Sequence, residues 1–198
     1  MRATIKAKLA ATFAVVIVLL IAVVGVGITK MSVLNTPISD VISGPAKRLE
    51  IALATSESMS QTLRSEKNMA LTNDAAMTRK FDADTLKGRN ETQALIAQGV
   101  QTAVPDVKAR WDQVQAAFGQ YVPINDEIRR LANANRNDEA GQVSVTKSRE
   151  IASGISAQLD QIVAYSQADM KQADEDTNVL YTDARNILLG TAALALLV

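Results

Sequence analysis

VKARWDQVQAAFGQYVPINDEIRRL, residues Val107–Leu131, decides the fold class. Its apolar side chains fall at Val107, Trp111, Val114, Phe118, Tyr121, Ile124, Ile128 and Leu131, with Asn125 beside Ile124. Steps that alternate between four and three residues put such a set on one face of an α-helix. The stripe is narrow, as it is in a bundle of thin helices. Pro105 stands just ahead of it, where a helix begins. Pro123 predicts a kink, and the asparagine-rich stretch Asn133–Asn137 predicts the end.

Three more segments carry helical periodicity, and no strand pattern of useful length appears. The first begins at Ser43-Gly44-Pro45, with Pro45 as its first residue and Pro37 predicting a kink or short break before it. Its seam reads Leu49, Ala52/Leu53, Ser56, Ser60, Leu63, Lys67 and Ala70, and Asn73-Asp74 supply a turn and cap. The second runs from Asp74 to Gln98 along Met77, Phe81, Thr85, Gly88, Thr92 and Leu95/Ile96, with Gly99 as a stop. The fourth carries Ile151, Ile155, Leu159, Ile162, Tyr165/Ser166, Asp169, Ala173 and Leu180. Short turns make sequential helices antiparallel. The expectation is an all-α, up-down-up-down four-helix bundle flanked by transmembrane helices. Equal rise on each helix sets Arg64 level with Arg149–Ile151, and Gly88 opposite Phe118.

Two apolar runs bracket this insert. Leu9–Ile28 meets the length of about 20 residues that a bilayer core requires. Ile187–Val198 reaches only about 18 Å at helical rise and reads as the start of a return span. Arg2, Lys6 and Lys8 precede the first run, and the positive-inside rule then puts the N-terminus in the cytoplasm. The expected organisation is a leader at 1–8, a first span at 9–29, an external sensor domain at 30–185 and the beginning of a second span at 186–198. A cleaved signal peptide, with Gly25-Val26-Gly27 as its site, is the competing reading. Its h-region would be longer than the usual 7–15 residues.

Composition excludes several function classes. The 198 residues balance 21 basic against 21 acidic side chains, without the basic excess that nucleic-acid binding uses. The chain has no cysteine and no histidine, so disulfides, thiolate metal sites and imidazole chemistry are out of reach. No EF-hand-like spacing of acids occurs. Asp126 and Glu127, as helix neighbours, point about 100° apart and share no site. The sequence therefore predicts no catalytic constellation, no metal site and no cofactor.

GPAKRLEIAL (Gly44–Leu53), LRSEKNMALTND (Leu63–Asp74) and INDEIRRLANANRNDEA (Ile124–Ala140), with the leader MRATIKAKLAATF (Met1–Phe13), make the chain resemble the sensor half of bacterial methyl-accepting chemotaxis proteins. With the two spans, the resemblance covers essentially the whole chain. It implies a homodimer in the inner membrane, with a periplasmic sensor that binds a small-molecule chemoeffector. It further implies a small movement of the last bundle helix, relayed to a cytoplasmic adaptor and histidine kinase. The same bundle also precedes histidine kinases and nucleotide cyclases, so the sensor portion of a signalling enzyme is the alternative. A membrane-anchored tether without a ligand is a third.

Candidate ligand-binding residues are Arg64, Lys67 and Asn68 on the first bundle helix, with Arg149 and Ser153 level with them on the fourth. Clustered cations suit a carboxylate. The plainer reading pairs Arg64 with Glu150 and Glu66 with Arg149 on the surface, worth at most about 1 kcal/mol each. The family's amino-acid receptors carry several arginines on this helix, whereas this chain has one plus Lys67. Ala52, Ser56 and Ser60 form a small-residue row expected at a dimer interface. Trp111, Phe118 and Tyr121 read as core. The acids Asp169, Asp174, Glu175, Asp176 and Asp183 read as a solvated face.

Overall fold

The computed structural model describes residues 4–197. Arg2 of the leader and Val198 of the terminal run lie outside the described residues. Helices run over Ile5–Val41 (α1), Lys47–Leu71 (α2), Ala75–Thr102 (α3), Pro105–Asn133 (α4), Asn137–Val143 (α5) and Arg149–Leu197 (α6). One π-turn, Ile42–Ala46, joins α1 to α2, and another, Ser144–Ser148, joins α5 to α6. Among the described residues there is no strand.

Gly44–Asp169 forms one compact unit. It is a four-helix bundle of α2, α3, α4 and a fourth helix made from α5, its π-turn and the first part of α6. Neighbours run antiparallel. Ser58 of α2 bonds Thr92 of α3, Arg89 and Asp82 of α3 bond Asp126 and Arg129 of α4, and Arg110 of α4 bonds Gln158 of α6. The expected register of first against fourth helix holds: Glu66 bonds Ser148, and Arg48 pairs with Asp169.

Local chemistry explains the helix ends. Asp74 caps α3 by accepting the backbone N–H groups of Ala76 at 2.7 Å and Met77 at 3.0 Å. Pro105 opens α4 as expected. Asn135 takes a left-handed φ of 57° between α4 and α5, a conformation asparagine tolerates.

Four expectations about the backbone are corrected. Helix continues through Ser43-Gly44-Pro45, because the π-turn absorbs the ring and missing N–H of Pro45. Pro37 lies inside an unbroken helix, so no break falls there; Pro123 likewise lies within the continuous α4. Gly99 does not end α3. A Cβ there would stand 2.4 Å from the Trp111 ring, so the glycine serves a close approach. Gly88 likewise sits against Thr62 of α2, not as the partner of Phe118.

Two apolar clusters fill the bundle. The larger is built on Trp111, Phe118, Met59, Ile155, Leu159 and Ile162. The smaller holds Met69, Ala70, Ile128, Leu131, Ala132 and Ala140. Trp111, Phe118 and Tyr121 are core, as read from the sequence.

The second unit comprises residues 1–43 and 170–198. Gly27 of α1 approaches Leu188 of α6, and Ala184 is buried. The apolar run of α1 is largely exposed: its most apolar window has a mean hydropathy of 3.0, and none of that window's residues is buried.

Candidate functional site

The site follows from two stripes on facing helices. On α2, Ser56, Ser60, Leu63 and Lys67 recur at steps of four, three and four. On α6, Arg149, Ser153 and Ser156 follow at steps of four and three. Between them runs a cleft of about 240 Å³, with Met59, Ile155 and Leu159 beneath and Ser144 in its wall. Lys67 and Arg149 are exposed, and among the described residues no carboxylate lies within 4.0 Å of either. The groove thus combines two uncompensated cations, several hydroxyls and an apolar floor. That chemistry suits a small anion with an apolar body.

Lys67, Arg149 and Ser153 meet here as expected from the sequence. Arg64 and Asn68 do not join them. Each follows a groove residue, Leu63 and Lys67, and one helical residue turns the side chain about 100° away. Arg64 instead borders a cleft shared with Asp84, Lys87 and Glu91 of α3. Asn68 is exposed and lines neither cleft. The small-residue row divides too. Ala52 is fully buried in the bundle's own core and is corrected from the interface assignment, while Ser56 and Ser60 border the groove.

Beneath the groove lies a group that the sequence reading misplaced. Glu66, expected at the surface beside Arg149, is completely buried. Its Oε2 accepts from Tyr121 Oη and Asn125 Nδ2, each at 2.8 Å. Its Oε1 accepts from Ser144 Oγ and Ser148 Oγ, also at 2.8 Å. Four converging donors from two other segments hold one carboxylate, as burial of such a group demands. Arg89 reaches Asn125 Oδ1 at 3.4 Å, which turns the amide nitrogen toward Glu66. Burial, then the Glu66 charge, push the Tyr121 phenol far above its ordinary range, so it stays a donor. The signal was present in the spacing: Thr55, Thr62, Glu66 and Met69 share the buried face of α2.

The remaining acids are accounted for. Asp126 engages Arg89 and Arg129, Glu127 lies 3.9 Å from Lys147, and Asp169 pairs with the buried Arg48. Asp174, Glu175, Asp176 and Asp183 are exposed, and no metal-binding cluster occurs among the described residues.

Comparison with protein families places this geometry. The model of a four-helix-bundle sensory module for signal transduction matches residues 2–181. The chain belongs to this sensory-module family of methyl-accepting chemotaxis proteins. The bundle is therefore a sensory module in chemotactic signal transduction, of a kind typically associated with membranes, and its family is a sensory rather than a catalytic one. No curated protein and no solved structure matches the chain.

Proposed function

We propose that this sensory module is the ligand-binding region of a transmembrane chemoreceptor and that its ligand is a small organic anion held between α2 and α6. Lys67 and Arg149 take the anionic group, Ser153, Ser56 and Ser60 offer hydroxyls, and Met59, Ile155 and Leu159 meet the apolar body. The observation that carries this reading is the pair of cations without acidic partners across one serine-lined groove. Arg64 and Asn68 are left outside the proposed site.

In this reading Leu9–Ile28 anchors the chain in the inner membrane with the leader 1–8 cytoplasmic. The bundle stands in the periplasm, and residues from 186 begin a second span. The largely exposed apolar surface of α1 supports the first of these assignments. Two copies pair through α2, where Leu53 is about half exposed on the outer surface. Ligand binding then acts through the second span on a cytoplasmic adaptor and histidine kinase, and the module itself catalyses nothing.

A thermal-shift screen of the full chain in detergent micelles tests the ligand class, using aliphatic dicarboxylates, aromatic acids and amino acids. A ligand at 100 times its Kd stabilises the fold by about 2.7 kcal/mol. Stabilisation by an acid, lost in Lys67→Ala and Arg149→Ala, supports the reading. A folded protein that answers to no acid at millimolar concentration overturns it.

A further inference from the structure

The buried face of the fourth helix changes spacing at the π-turn. Ala140, Ser144, Ser148 and Ala152 are separated by four residues each, whereas Ala152, Ile155, Leu159 and Ile162 alternate three and four. In an α-helix each step of four advances the face by about 40°, so three such steps carry it about 120° around. The π-turn Ser144–Ser148 takes up one extra residue and returns the later stripe to the core.

Both ends of that turn are fastened to the same atom. Ser144 and Ser148 donate to Glu66 Oε1, while α4 holds Oε2. The two flanks differ in anchorage. Downstream, Ile155, Leu159 and Ile162 are locked into the main core. Upstream, α5 has seven residues and buries only Ala140. An extra residue released from the turn therefore leaves toward α5. Ser144 belongs at once to the Glu66 cluster and to the groove wall.

Resting on the groove reading above, we propose that α5 has two registers about this turn, that Glu66 holds the one seen here, and that the choice sets whether Ser144 belongs to the groove wall. In the second register the turn is α-helical, α5 is rotated by about 100°, and Ser144 has left Glu66.

Hydrogen exchange on the full chain in detergent micelles, read by mass spectrometry, tests this without any ligand. Three variants are compared with the parent: deletion of Val145, deletion of Gly154, and Ser144→Ala with Ser148→Ala. Val145 is exposed within the turn, and Gly154 is exposed outside it. Deleting Val145 leaves steps of four, three and four, so this variant folds and slows exchange across 137–148. Deleting Gly154 leaves a step of two in the stripe, which is relieved only if the turn becomes α-helical and Ala152 leaves the core, so this variant melts below the Val145 deletion. The double alanine variant speeds exchange across 137–148 by more than about tenfold, as loss of two charge-assisted hydrogen bonds requires, and leaves 155–162 unchanged. Unfolding on deletion of Val145, or exchange in the double variant that rises uniformly along the helix or not at all, overturns the proposal. A ligand screen without hits overturns the groove reading alone and leaves these exchange patterns intact.

Discussion

Replacing single glycines with alanine tests the packing of the bundle against helix propensity alone. In a helix interior, Gly→Ala gains about 1 kcal/mol when the new methyl meets nothing. Gly119 and Gly154 satisfy that condition, with no atom within 4 Å of the added Cβ. Gly99 does not. Its Cβ would lie 2.4 Å from Cη2 and 2.5 Å from Cζ2 and Cζ3 of Trp111, a side chain only 1 % exposed. Carbon atoms settle at about 3.5–4.0 Å, so the ring or the α3–α4 spacing must give by roughly 1 Å. Such overpacking costs about 1–3 kcal/mol, which cancels or exceeds the propensity gain. Gly99→Ala is therefore expected to be neutral to about 2 kcal/mol destabilising, against a gain of about 0.5–1 kcal/mol for Gly119→Ala or Gly154→Ala. Thermal unfolding followed by circular dichroism resolves the gap, since about 1 kcal/mol moves Tm by roughly 2–4 °C at this chain length. Gly99→Ala melting at or above Gly119→Ala would refute the close approach of α3 to Trp111.

The other predictions concern charge. Tyr121 has its folded pKa raised, by burial first and by Glu66 next, so its stabilising effect is complete below the unfolded value of 10.0 and is lost as pH rises beyond it. In an ultraviolet tyrosinate titration one tyrosine should ionise only as the fold is lost, and Tyr121→Phe should remove that late step. Asp74 is held below the ordinary aspartate value of 3.8 by the Met77 and Ala76 backbone N–H groups, so its contribution is present above that value and disappears as pH falls through the folded pKa. Asp74→Ala should lower Tm at neutral pH and flatten the acid limb of the stability profile. Asp169→Ala leaves the guanidinium of Arg48, itself 8 % exposed, without its carboxylate, and a loss of about 3 kcal/mol is expected. Arg48→Met should cost less, and a double-mutant cycle measures the coupling.

The sequence made the bundle legible because α4 obeys the simplest rule: every buried position but one on its main stripe is apolar or aromatic. Helix α2 does not obey it. Its buried face mixes the polar Arg48, Thr55, Ser58, Thr62 and Glu66 with Ile51, Ala52, Met59, Met69 and Ala70, while Leu49, Leu53 and Leu63 lie one residue off parts of that face, and Leu53 is exposed. A seam drawn through the leucines therefore runs about 100° off these buried polar positions. That choice put Glu66 on the surface; Arg64 and Asn68 entered the ligand cluster because they share one helical turn with Lys67, and Ala52 entered the dimer row through its spacing to Ser56 and Ser60. Lys67, Arg149 and Ser153 were recoverable because antiparallel register depends on helical rise, which side-chain identity does not alter. Gly99 and Gly88 were read as punctuation and partner because nothing local in the sequence distinguishes a stop from a close approach. The π-turn at Ser144–Ser148 was written in the run of fours from Ala140 to Ala152.

Calorimetric titration of the full chain with an acid selected by the thermal-shift screen tests the central claim most directly. The account predicts that Lys67→Ala and Arg149→Ala each weaken binding by about 10- to 100-fold, the loss expected for one charge-assisted contact of roughly 1.5–3 kcal/mol. Arg64→Ala, in the neighbouring cleft, should leave Kd within about threefold, the modest effect of a charge that ligand does not touch. Binding unaffected by loss of Lys67 and Arg149, or abolished by Arg64→Ala, would contradict the groove between α2 and α6 as the sensing site.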